Sequence, residues 1–266
     1  MKKIIIRTLL MIICYLTAFI IHPGKIWTQQ VDAKSVKKVS ANSSATLVSF
    51  DDSIRESRIE MRKYCAITQE LMKNPDGEKM ELALKHIRNA RALWEKVQKD
   101  YQENPPLEYQ KDSLFKSRLS EIHGKMQEME NELLKDSPQE SFKACSYACG
   151  LFVKMHEENG LVYIVDRLYH LRKFTKTLKT AVASRGLPAA QEMLPALLYQ
   201  RDRVLLTAYP DFYGLNKQEE FQSALKSMSA LVDDVVISTV KTEHQELESA
   251  LNELIFQINK AYALAL

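Results

Sequence analysis

Phe142, Cys145, Cys149, Phe152 and His156 follow one another at steps of three, four, three and four, so they share one face of a helix. Two thiols and an imidazole on an otherwise apolar face are soft metal ligands. An earlier segment carries Met61, Cys65, Thr68 and Met72 at steps of four, three and four. If the two helices run antiparallel with Met61 facing His156, Cys65 falls opposite Phe152 and about one turn from Cys149. Three chemistries suit that convergence. Met61 and His156 would ligate the iron of haem b from both sides, a low-spin electron-transfer arrangement that calls for a redox partner protein. Cys65, Cys145, Cys149 and His156 would instead hold copper or zinc. A Cys65–Cys149 disulfide would remove the soft-metal set, whereas Cys145 and Cys149, one turn apart on a helix, are poorly placed to pair with each other. The plain alternative is that the cysteines are small buried hydrophobes and His156 caps a helix end.

Helices must position these residues. Phe115, Leu119, Ile122, Met126, Met129 and Leu133 recur at steps of four and three, a single apolar seam. The pattern returns 106 residues later in Phe221, Leu225, Met228, Val232 and Val235, with Thr239 where Leu133 stood. Identities share that offset: Ser117 and Ser223, Lys135 and Lys241, Gln139 and Gln245, Ala144 and Ala250. An offset of 105 superposes Arg62 on Arg167 and Tyr64 on Tyr169. A repeat of this length implies two domains rather than a solenoid. The spacing predicts helices over 52–73, 78–102, 112–134 and 139–158, then 160–184, 188–208, 217–240 and 243–264. Asn74-Pro75-Asp76-Gly77, Pro105-Pro106, Ser137-Pro138, Ser184-Arg185-Gly186 and Tyr209-Pro210 break them. Asp76 and Ser137 are expected as N-caps, and Gly160 as a helix end. The expected fold is all-α: two tandem up-down-up-down four-helix bundles, 51–159 and 160–266, because short turns force antiparallel neighbours.

The N-terminus opens on Met1-Lys2-Lys3, continues apolar to Ile21 and reaches Val31-Asp32-Ala33, the order of a secretory signal over residues 1–33. A linker over 34–50 follows. The expected location is periplasmic or secreted, without stable membrane insertion if the signal is cleaved; the alternative is an uncleaved anchor. Cleavage leaves Cys65, Cys145 and Cys149, an odd number in an oxidising compartment. A formal charge of +3 spread over interspersed acids and bases gives no reason for a nucleic-acid partner. No Ser-His-Asp or Cys-His-acid spacing supports an enzyme.

The first half resembles the periplasmic superfamily of four-helix-bundle cytochromes that contains the soluble b-type cytochromes and cytochrome c prime. The resemblance rests on Met61 near the start of the first helix, the second-helix run Ala83-Leu84-Lys85-His86-Ile87-Arg88-Asn89-Ala90, the Pro105-Pro106 loop and His156 near the end of the fourth helix. It implies Met61 and His156 as axial haem ligands. No Cys-x-x-Cys-His occurs, so covalent attachment is not implied. The second half carries Asp166 and Tyr262 at the ligand positions and is expected to act as scaffold. The rival expectation is a haem-free bundle that binds a protein or a small ligand.

Overall fold

A computed structural model describes residues 45–208, 215–242 and 244–266. The apolar seams form eight helices: α1 (Ala45–Leu71), α2 (Gly77–Tyr101), α3 (Phe115–Leu134), α4 (Pro138–Glu158), α5 (Ile164–Arg185), α6 (Leu187–Leu205), α7 (Leu215–Val240) and α8 (His244–Leu264). A 3-10 turn spans Leu107–Tyr109, and no strand occurs among the described residues. The protein is all-α. The signal-like segment 1–33 lies outside the described residues, and none of the described helices is long and apolar enough to cross a membrane.

In the first set α1 packs on α2 and α4, and α3 packs on α2 and α4. The second set repeats this, with α5 against α6 and α8, and α7 against α6 and α8. Each ring closes on its own apolar core, and the described residues of both belong to one compact unit. Every residue of the two repeated seams is buried, Phe115 to Leu133 in α3 and Phe221 to Thr239 in α7. Thr239 replaces Leu133 at little cost because its hydroxyl donates to the Val235 carbonyl one turn back, at 2.7 Å. In the first core Trp94 meets Phe152 edge to face at 5.3 Å and donates its indole N–H to the Leu119 carbonyl at 2.9 Å.

Helix α1 begins at Ala45, inside the stretch expected as linker. Leu47, Phe50 and Ile54 step by three and four onto the core, and Phe50 packs within 5.0 Å of Tyr101 and 5.2 Å of Tyr109. The intervening Val and Ser residues hide that seam in the sequence. Asp76 caps α2 as expected, its carboxylate accepting from Lys79 N at 3.1 Å. Ser137 does not cap α4 with its side chain; Pro138 follows it, and Pro at the first helical position removes one of the N–H groups a cap would serve. Gly160 ends α4 at φ 71°, a left-handed turn in which Leu161 N donates back to the His156 carbonyl at 3.0 Å. That turn brings α5 alongside the end of α4.

Candidate functional site

Two contacts fix the register of α1 on α4. Cys65 is disulfide-bonded to Cys145, with Cα atoms 6.3 Å apart, and the Arg58 guanidinium lies 5.0 Å from the centre of the Phe152 ring. Seven residues back along α1 therefore correspond to seven forward along α4, so the helices are antiparallel. On this register Met61 is level with Cys149, and His156 lies a further seven residues along α4, roughly 10 Å away by helical rise. The expected facing of Met61 and His156 is not made. The disulfide pairs Cys65 with Cys145 and not with Cys149, the pairing weighed as one of three alternatives, which leaves Cys149 as the free thiol among the described cysteines.

His156 is occupied elsewhere. Its Nδ1 donates to Asp166 Oδ2 at 2.7 Å, across the Gly160 turn from α4 to α5, and its ring packs 4.5 Å from that of Tyr163. Tyr163 donates its hydroxyl to Asp51 Oδ2 at 2.6 Å. Burial pushes the Asp51 carboxyl up to about 6, and neighbouring His156 and the Tyr163 hydroxyl offset only part of that.

The other Asp166 oxygen faces α1. Arg58 Nη2 stands 3.8 Å from Asp166 Oδ1 and donates to the Tyr262 hydroxyl at 3.1 Å. Arg58, His156, Asp166 and Tyr262 are 4%, 3%, 1% and 3% exposed, so this is a buried polar junction between the two helix sets. Burial works against the Arg58 charge, but Tyr262 and Asp166 outweigh it and hold its pKa above the ordinary value. Arg58 Nε and Asp166 Oδ1 are buried without a hydrogen-bond partner among the described residues.

The repeat explains the pattern. His156 and Tyr262 occupy matched positions at the ends of α4 and α8, as do Met61 and Asp166 in α1 and α5. His156 reaches from the first set to α5 of the second, and Tyr262 reaches from the second set to α1 of the first. Polar residues on these seams exceed what one ring needs because they face the other ring.

Beyond Arg58 the junction turns strongly positive. Arg62 Nη2 donates to the Asn259 carbonyl at 3.3 Å, and Arg172 Nη1 donates to Asn259 Oδ1 at 3.4 Å. The Arg172 guanidinium lies 4.7 Å over the Tyr262 ring and 5.7 Å from that of Tyr169. Cys149 lies among these charges, with Arg172, Arg58 and Lys176 acting on its thiol. Burial nevertheless raises the Cys149 thiol above its ordinary pKa, so the cations do not make it a thiolate. Arg62 is held below its usual value by burial and by Arg172, with Tyr262 opposing, and Lys176 by burial and Arg172, with Cys149 opposing.

The remaining expected ligands do not assemble. No group of three His, Cys, Asp or Glu side chains placed to hold a metal occurs among the described residues. Two of the four soft ligands are consumed by the disulfide, and His156 is turned to Asp166. Haem does not fit between Met61 and His156 either: both are buried, at different levels, and Arg58 and Phe152 fill the intervening space. The acids near His123 are dispersed, Glu130 to Arg88 and Arg91, Glu121 to Tyr147, Glu128 to Lys125. His123 itself pairs with Glu95 at 3.4 Å, and His170 with Glu157 at 3.1 Å.

Arg58 and Arg172 are functional candidates that periodicity did not single out. The available signal was a charge on a seam, since Arg58 stands between Ile54 and Met61 where an apolar residue belongs. Comparison of the chain with protein-family models, curated proteins and solved structures returns no match.

Proposed function

We propose that the chain is an exported, haem-free binding protein that takes a small ligand at the positive mouth of the junction between its two helix sets. One observation carries this reading: Arg62 and Arg172 meet at Asn259 with Lys176 nearby and, among the described residues, no carboxylate paired to any of the three, next to Arg58, whose partner Asp166 is already engaged by His156. Partly desolvated like charges are costly, and a site kept in that state is prepared for an opposite charge that arrives with a ligand. The Cys65–Cys145 disulfide supports the oxidising compartment that the N-terminal segment predicts. Binding is favoured over nucleophilic catalysis because the thiol at the mouth is held protonated by its burial.

Native mass spectrometry of the disulfide-bonded chain, isolated from an oxidising compartment without denaturation, tests the reading. A retained small molecule, lost when Arg172 becomes Ala while helicity is unchanged, is the expected result. A chain that carries nothing, and instead gives a low-spin haem spectrum abolished by His156→Ala, overturns it.

A further inference from the structure

We propose that the ligand of this mouth is a phosphoryl-type oxyanion, bound through Arg62, Arg172 and Lys176 with Arg58 as the floor. The inference rests on the reading of the junction as a binding site and names the chemistry it takes.

The charge balance comes first. Among the described residues none of Arg62, Arg172 and Lys176 forms an ion pair, and Arg58 shares Asp166 with His156. The repeat supplies a comparison inside the same chain. Arg167 stands at the position matched to Arg62 and is paired with Glu157 at 2.9 Å, whereas Arg62 reaches only the Asn259 carbonyl. A structural role for this arginine is thus satisfied by a carboxylate in one half and left open in the other. Three neighbouring cations without a carboxylate, beside an Arg58 whose Asp166 is shared with His156, match a dianion better than a single carboxylate.

Geometry sets the size. Arg58 is 4% exposed and its Nε is buried without a partner, so only a compact group would reach it past Arg62 and Arg172. Arg62 and Arg172 are half-buried and converge on Asn259 from α1 and α5. Guanidinium groups in such a pair present parallel N–H donors, which tetrahedral oxyanions accept two at a time. Both Tyr262 and Tyr169 lie beside Arg172, and the phenol of Tyr262 already accepts from Arg58, so the rings hold the cations in place. Lys176 is shared with a shallow groove along α5 that Lys173 and Arg185 also line, which gives an anion a positive approach.

The test uses the full mature chain with its disulfide intact, at constant ionic strength in chloride. Inorganic phosphate and glycerol phosphate are titrated in separate arms and followed by calorimetry and by the arginine Nε–Hε resonances. Saturable one-to-one binding that shifts the resonances of Arg58, Arg62 and Arg172 is expected, weakened roughly tenfold or more in Arg172→Gln and in Arg62→Gln. Lys143→Gln, on an exposed Glu140 pair, leaves it unchanged. Binding of both anions assigns a phosphomonoester ligand, and binding of inorganic phosphate alone assigns the free ion; either outcome supports the proposal. The resonance shifts locate the site in the unsubstituted chain, so they hold even if a variant fails to fold. Absence of saturable binding in both arms, or binding that leaves these three arginines unmoved, overturns it. If that happens while native mass spectrometry still finds a retained molecule released by Arg172→Ala, the binding reading stands and only the oxyanion assignment falls.

Discussion

His156 Nδ1 lies 2.7 Å from Asp166 Oδ2, and this one contact joins the last helix of the first set to the first helix of the second. Both groups are buried, so neither has water as an alternative partner. The imidazole that an isolated four-helix unit would offer to a cofactor is committed to the junction.

Asp166 serves two buried groups, His156 and Arg58, and its removal leaves both uncompensated. Asp166→Ala is expected to destabilise the protein by about 3–5 kcal/mol, the range for breaking a buried ion pair from one side. Replacing both members, Arg58→Met with Asp166→Leu, should recover much of that loss. Chemical denaturation of the three proteins at neutral pH checks the order.

The Cys65–Cys145 bridge closes a loop across a sequence separation of 80 residues. Cys65→Ser or reduction should lower stability by roughly 2–4 kcal/mol through the freed unfolded chain. Among the described cysteines only Cys149 should remain free for alkylation without reductant, and peptide mapping identifies it.

Burial raises the folded pKa of Asp51 to about 6 from its ordinary value of 3.8, so the folded state favours its protonated form. The sign follows: the stabilisation linked to protonation is present below the unfolded value and is lost as pH rises through about 6. Asp51→Asn, which keeps an acceptor for Tyr163, should therefore be more stable than the parent at pH above about 7, by up to about 3 kcal/mol, with the difference fading near pH 4. Parallel denaturant midpoints at the two pH values decide it.

Added haem should give no sharp low-spin Soret and α bands. Met61 and His156 are about two helical turns out of register, and Arg58 sits over Phe152 between them. A visible spectrum of the refolded protein with stoichiometric haem checks this, with Met61→Ala and His156→Ala as controls for any band that appears.

Much of the helical layout was legible in the sequence. The seams of α3 and α7, the Asp76 cap and the Gly160 turn lie where periodicity and turn chemistry place them. The first turns of α1 were missed because Leu47 and Phe50 are embedded in residues that read as linker. The register of α1 on α4 was misread for a deeper reason. An apolar seam of steps three and four repeats every seven residues, so a slip of seven presents the same faces and nothing in the seam distinguishes the two alignments. Cys65 opposite Phe152 and Cys65 opposite Cys145 differ by that slip, and the disulfide selects the second. The polar residues of the α4 seam stood out in the sequence as candidate ligands. What the sequence could not display was a second ring standing against the first, with Asp166 and Tyr262 as the partners of His156 and Arg58.

Those crossed contacts couple the two helix sets, and a double-mutant cycle on His156 and Asp166 measures that coupling. Unfolding free energies of the parent, His156→Ala, Asp166→Ala and the double variant, taken at one pH, give the interaction term. A coupling of about 1 kcal/mol or more is predicted for a buried charge-assisted hydrogen bond. Strict additivity, within about 0.3–0.5 kcal/mol, would contradict that coupling, because His156 would then have no energetic tie to the second helix set.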